Sequence, residues 1–169
     1  MTVDFKMYRV FCSSPGGLDD ERDVFVDTLG RVNENGGVDA EILLIPIVLR
    51  GLASAGGALG TVLQNVRDAD FFVQLLDTSW GPPWAEFHRL FDMALSCRND
   101  VNLPMKEIGV FLKQRDLPDY QSDVAEFRRR VMEIPGITVY PFRDSPELDR
   151  QLTSLLTAWR ESLTRQSLA

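Results

Sequence analysis

The chain has 169 residues, of which 44% are hydrophobic and 25% are charged. This length and composition predict one folded domain over residues 1–169 and exclude a disordered chain. No apolar run approaches the roughly 18–20 residues that a membrane helix needs, and residues 1–6 lack the order of a signal peptide, so we expect a cytoplasmic protein with no membrane partner. A net charge of -7 would repel a phosphate backbone, which disfavours nucleic acid as a partner.

The cysteines and the histidine do not form a metal-ligand pattern. Cys12 closes an apolar, strand-like run and Cys97 lies in a helix-like run, as buried free thiols often do. His88 is the one histidine of the chain, and no Cys or His cluster has the spacing of a zinc site. The sequence therefore predicts no disulfide framework, no metal site and no resident cofactor.

Strand-like and helix-like segments alternate along the chain with no long linker between them. Short apolar runs predict five strands, at residues 7–12, 41–48, 71–77, 106–113 and 137–142. Apolar residues at helical spacing predict a helix after each strand. These helices are marked by Leu18 to Val32, residues 59–67, a run from near Pro83 to near Cys97, Val124 to Val131, and Leu148 to Leu163.

This alternation predicts an α/β fold with a doubly wound parallel sheet. Five parallel strands with right-handed crossovers most often take the order 2-1-3-4-5, the order of a flavodoxin-like three-layer sandwich. In that order the first and third strands are neighbours, and the chain leaves them in opposite directions. We therefore expect the ligand site in the crevice at their carboxyl ends.

Glu86 is the most informative residue of the third predicted helix. At 100° per residue it falls inside the apolar arc, aligned with Leu90, Met93 and Cys97. An acid in a first turn can simply compensate the helix dipole. A carboxylate beside a ligand crevice can instead be a general base, a hydroxyl-binding group or a nucleophile. His88 falls on a different face, where we expect a surface residue rather than a partner of Glu86.

The loop after the first predicted strand contains Ser13 and Ser14, followed by Pro-Gly-Gly at residues 15–17. Small residues there can direct backbone N–H groups at an anion or a ribose, or can form a plain N-cap and turn. The loop lacks both the Walker spacing and the dinucleotide glycine fingerprint. Arg22 interrupts the apolar stripe of the next helix, so it either reaches a ligand phosphate or pairs with a local acid such as Asp19.

Two further candidates follow the third predicted strand. Trp80 stands at the lip of the crevice, where an indole can stack on a base or cap the core, and core packing is the commoner fate of tryptophan. Asp77 ends the strand and either binds a ribose hydroxyl or caps the turn that follows.

Several of these segments resemble a known family. Residues 10–14 (Val-Phe-Cys-Ser-Ser) and 18–22 (Leu-Asp-Asp-Glu-Arg) look like the opening of an uncharacterised bacterial TIR-like domain family, whose members begin with a strand ending in Ser-Ser-Thr and continue to Asp-Leu-x-x-Glu-Arg. Residues 67–76 resemble its next signature, a helix that runs into an apolar strand, and Trp80 with the glycine after it matches a Trp-Gly or Tyr-Gly pair. The resemblance covers roughly the first 115 residues.

The resemblance implies an activity and a site. The family is similar to TIR domains and to nucleoside 2-deoxyribosyltransferases, which use a glutamate at the N-glycosidic bond of NAD or of a nucleoside, and Glu86 matches that glutamate by its placement. The resemblance therefore implies NAD or a nucleoside as substrate and a bacterial signalling or defence role. Substrate-binding roles would fall to Ser13, Ser14, Arg22, Asp77 and Trp80.

A non-catalytic function stays open beside this one. Many TIR domains work by self-assembly or by binding a partner protein, and residues 49–60, rich in small side chains, would be the contact loop. A flavin-binding electron carrier is a third interpretation, which rests on analogy of fold alone. The sequence does not decide whether the protein is an enzyme.

Overall fold

A computed structural model describes residues 2–48, 59–82 and 85–169 of the chain. Within these ranges the strands are β1 (Lys6–Ser13), β2 (Ile42–Val48), β3 (Phe71–Leu76), β4 (Glu107–Lys113) and β5 (Thr138–Phe142). The α-helices are α1 (Asp19–Val32), α2 (Leu59–Arg67), α3 (Phe87–Arg98), α4 (Ser122–Val131) and α5 (Ser145–Ser167). The chain kinks after α1, in the segment Asn33–Gly37, where Asn35 and Gly36 have non-helical backbone angles. No helix of the described ranges is long and apolar enough to cross a bilayer.

The five strands form one sheet in the order β2-β1-β3-β4-β5, and every neighbouring pair is parallel. Helices cover both of its faces. This confirms the predicted α/β, flavodoxin-like three-layer sandwich and its strand order. The carboxyl ends of β1 and β3 are neighbours, since Ser13 pairs with Gln74 in the register of the two strands.

The first face of the sheet is covered by α1 and α5. The apolar stripe of α1 buries Phe25 and Leu29 there, because residues four apart lie on the same side of a helix. From α5, Trp159 stacks on Phe71 of β3 with the ring centroids 4.6 Å apart. The aspartate before α5, Asp144, caps the helix by accepting a hydrogen bond from the backbone N–H of Glu147.

The second face of the sheet is covered by α2, α3 and α4. Phe72 of β3 meets Phe91 of α3 edge to face, and Phe91 in turn contacts Phe127 of α4 at 4.8 Å between ring centroids. These contacts join the two helices to the sheet through one continuous aromatic cluster. The cluster places the start of α4 beside the loop that leaves β3.

The third helix begins later than predicted. Its first residue is Phe87, whereas the sequence predicts a start near Pro83, a residue that lies outside the described ranges together with Trp84. The physical reason is the backbone of Glu86, whose φ of 48° is left-handed and therefore cannot belong to a right-handed helix. Just before it, the N–H of Ala85 donates to the carbonyl of Pro82.

We expect Gly109→Ala to lower the free energy of unfolding by about 1–3 kcal/mol, as overpacking of a core does. An added Cβ at Gly109 of β4 would overlap the side chain of Leu155 on α5. Gly30→Ala in α1 is the matched control, because a Cβ there meets open space, and it should raise stability by about 0.5–1 kcal/mol. Urea denaturation measures both changes, and equal stability of the two variants would contradict this account of the packing.

Candidate functional site

The loop after β1 is held by its own side chains. Arg22 is only 9% exposed, and its Nε donates to Oγ of Ser14 at 2.8 Å. Its Nη1 donates to Oδ1 of Asp19 at 2.5 Å. Of the two roles that the sequence leaves open for Arg22, the structure therefore shows the pairing with a local acid. The hydrogen bond between Arg22 and Ser14 therefore ties the loop after β1 to α1.

A buried polar pair lies under this loop, at the ends of β1 and β3. Gln74 is fully buried, and its Nε2 donates to the backbone carbonyls of Ser13 and Leu75 at 3.2 and 3.0 Å. The Ser13 Oγ and the Gln74 Oε1 are buried and have no hydrogen-bond partner in the part of the chain that the structure describes. Sequence reasoning missed Gln74, although a lone amide inside an apolar strand is a readable signal.

Cys12, which precedes Ser13 in β1, is a buried free thiol. Burial raises the pKa of Cys12 to about 12, and the nearby Arg22 guanidinium offsets only part of that effect. A thiolate is the nucleophilic form of cysteine, so Cys12 does not supply a nucleophile near neutral pH. It belongs to the core, as the sequence predicts.

Asp77 lies directly after β3 and is tied to the end of β4. Its carboxylate accepts two hydrogen bonds from Arg115, at 2.7 Å from Nε and 2.5 Å from Nη2. Nη2 of Arg128 adds bonds to the backbone carbonyls of Asp77 and Lys113, at 2.8 and 2.7 Å. The carboxylate thus forms a bidentate ion pair, a role that the sequence does not predict because Arg115 is distant along the chain.

Among the described residues, a cleft lies between the loop after β3 and the start of α4. It has two lobes that share Trp80, His88 and Asp123. The larger, which we call the Glu86 lobe, has a volume of about 550 Å³, and the smaller, the Asp92 lobe, about 370 Å³. The Glu86 lobe is also lined by Gly81, Pro82, Glu86, Phe87, Gln121 and Ser122. The Asp92 lobe is also lined by Asp92, Glu126, Phe127 and Arg130.

Glu86 lines the cleft from a position just before α3. Its two carboxylate oxygens accept hydrogen bonds from Nη1 of Arg89 at 3.3 and 3.2 Å, and its side chain is 34% exposed. The predicted placement on the inward apolar arc of the helix is therefore wrong, because Glu86 lies outside the helix and has a left-handed backbone. The carboxylate is nevertheless beside the loop after β3, as the sequence predicts.

Two ring side chains border both lobes. Trp80 is 6% exposed and packs edge to face on Phe127, with ring centroids 4.9 Å apart, so it is largely a core residue that also lines the cleft. His88 is exposed, as predicted, but it is also a lining residue of the cleft. Sequence reasoning missed this second property because the opposite wall comes from α4, which is distant along the chain.

The charge of the cleft is dominated by carboxylates. Asp92, Asp123 and Glu126 line the Asp92 lobe, and Arg130 is the cation among its lining residues. Within the described ranges no group of three or more His, Cys, Asp or Glu side chains has the geometry to hold a metal ion. The arrangement can therefore hold a planar ring against an aromatic edge and stabilise positive charge next to it.

Of the predicted site residues, the structure brings Trp80 and Glu86 together in the cleft. Ser14 and Arg22 bond to each other on the α1 side, and Ser13 is buried between β1 and β3. Asp77 faces Arg115. Among the predicted site residues, Ser14, Arg22 and Asp77 are thus bonded to protein side chains, while Trp80 and Glu86 line the cleft.

We expect Arg22→Ala to lower the free energy of unfolding by about 1–3 kcal/mol, because the buried Ser14 hydroxyl loses its partner. Arg129→Ala, which removes an exposed arginine of α4, should change stability by less than about 0.5 kcal/mol. Chemical denaturation of both variants measures the difference. Unchanged stability of the first variant would mean that the guanidinium of Arg22 does not hold the loop.

Comparison with known proteins assigns no family to this chain. No protein-family model matches its sequence, and no curated protein matches it significantly. The resemblance of roughly the first 115 residues to a TIR-like family stays a prediction. The chemistry of the cleft has to be argued from its own geometry.

Proposed function

We propose that the protein binds a nucleoside, free or as part of NAD, in the two-lobed cleft and breaks its N-glycosidic bond by hydrolysis or by transfer of the sugar. The observation that carries this proposal is that the carboxylate of Glu86 and the ring edge of Trp80 line the same lobe. An aromatic side chain binds a planar base. A carboxylate stabilises the positive charge that develops on the sugar as the bond breaks.

The contacts of Glu86 suit that task. Arg89, three residues further along the chain, donates hydrogen bonds to both carboxylate oxygens. These bonds hold the Glu86 side chain at the N-terminal end of α3. One third of it is exposed, which leaves an approach for a ligand. Glu86 either stabilises the sugar cation through space or attacks C1′ to form a covalent intermediate.

The size of the cleft also supports a small organic ligand. Lobes of about 550 and 370 Å³ fall in the range of roughly 300–1,000 Å³ that is usual for such sites. The acidic lining of the Asp92 lobe opposes a diphosphate there, which favours a free nucleoside over NAD. A bacterial signalling or defence role, which the TIR-like resemblance implies, is part of the same proposal.

We expect the purified protein to release free base from a nucleoside panel, or nicotinamide from NAD, and Glu86→Gln to lower that rate by about 100-fold or more. Chromatography of the released bases measures both activities and separates the two substrate classes. Glu133→Gln, at an exposed position after α4 and outside the cleft, is the matched control and should keep the full rate. A Glu86→Gln variant as active as the parent protein would rule out this mechanism.

A second candidate function is self-assembly, and the edge of the sheet favours it. All seven residues of β2 are apolar, and in the described ranges the strand pairs with β1 alone. Leu43 on this edge is half-buried and is paired in register with Met7, whose side chain is 67% exposed. An apolar edge strand can pair with the same strand of a second copy across a two-fold axis. Most of the predicted contact loop, residues 49–58, lies outside the described residues.

If self-assembly is the function, the protein should dimerise as its concentration rises, and Leu43→Lys should shift it to monomer by placing a charge on the edge of the sheet. Val101→Lys is the matched control, because Val101 is 96% exposed in the loop after α3 and far from β2 along the chain. Sedimentation velocity over a concentration series gives the result. A monomer at every concentration would exclude this function.

A further inference from the structure

His88 stands at the boundary between the two lobes of the cleft. It lines the Glu86 lobe and the Asp92 lobe alike. Its side chain is exposed and makes no hydrogen bond or ion pair in the described part of the chain. Both ring nitrogens are therefore free to meet a ligand that enters the cleft.

We infer that His88 is the general acid that protonates the leaving base during cleavage of the N-glycosidic bond, an assignment that rests on the proposed function. A purine leaves poorly as an anion, so cleavage needs a proton donor next to the base. Glu86 is the group placed to act on the sugar. The proton must come from another side chain of the cleft.

The other charged lining residues do not suit proton donation. Asp92, Asp123 and Glu126 are carboxylates, which accept hydrogen bonds in their ionised form. The guanidinium of Arg130 does not release its proton in proteins. Imidazole is the side chain that most often carries protons in catalysis near neutral pH, and His88 is the one histidine of the chain.

The placement of His88 fits this role. It follows Glu86 by two residues at the start of α3, so both side chains face the Glu86 lobe from one short segment. Trp80 borders the same lobe and gives the base an aromatic edge. A base next to Trp80 with its sugar next to Glu86 would share this lobe with His88.

The step balances in protons and electrons. As the C1′–N bond breaks, its electron pair stays on the base, and an N–H proton of the His88 imidazolium moves to a base nitrogen. A water oxygen then bonds to C1′, and the proton that this water loses returns to the imidazole. In this form of the reaction Glu86 stabilises the sugar cation throughout and ends as the carboxylate it began as. The products are the neutral base and the free sugar.

The test compares guanosine with 7-methylguanosine, whose N7 methyl group removes the need to protonate the leaving base, and reads the effect of each variant as a ratio to the parent rate on the same substrate. The methylated base already carries a positive charge and leaves as a neutral molecule, so it needs no general acid. We expect His88→Gln to lower guanosine cleavage by about 100-fold or more and 7-methylguanosine cleavage by less than about threefold. Glu86→Gln should lower both rates, and Glu133→Gln should lower neither.

The outcomes separate this assignment from the function on which it rests. Equal loss on both substrates in His88→Gln, or no loss on either, overturns the role of His88 while the N-glycosidase activity stands. Failure of the unmodified protein to cleave either substrate overturns the assignment, and failure on the whole nucleoside panel and on NAD overturns the proposed function as well. Circular dichroism and the Tm of each variant show that any loss is not due to unfolding, since His88 is an exposed side chain.

Discussion

The burial of β3 on both faces is the constraint on which the rest of the molecule depends. All six residues of Phe71–Leu76 are buried, with Trp159 stacked on one face and Phe91 in contact on the other. A strand covered on both faces can expose its polar neighbours only at its ends. The loop that leaves its carboxyl end therefore carries the polar groups, and the aromatic cluster fixes that loop against α4.

Ion pairs hold several of the charged side chains at this end of the sheet. Lys113 bonds to the buried Glu21 at 2.5 Å, and Arg115 holds Asp77. A charge that is removed from water needs a partner, and these pairs satisfy each other across the ends of the inner strands. The carboxylates of Glu21 and Asp77 are therefore already paired with cations of the protein. The cleft that Trp80 and Glu86 line lies between the loop after β3 and the start of α4.

The fold was predictable because its signals are local and repeated. Apolar runs such as Phe71–Leu76 and helical stripes each recur along the chain, and strand order then follows from general rules of handedness. The site was less predictable because its decisive features are single or distant. Glu86 lies outside α3 because its own backbone is left-handed, and the pairing of Asp77 with Arg115 spans 38 positions in sequence. The residues next to His88 in sequence do not indicate that side chains of α4 line the same cleft.

The left-handed backbone of Glu86 sets the stability of the fold against the presence of a carboxylate in the cleft. A non-glycine residue in this conformation costs about 1 kcal/mol or more, which the remainder of the fold must offset. Glycine would remove that cost and the carboxylate in a single step. A laboratory screen that rewards heat resistance alone would thus drive this position towards glycine. The most heat-resistant variants from such a screen would therefore lack the carboxylate that lines the cleft.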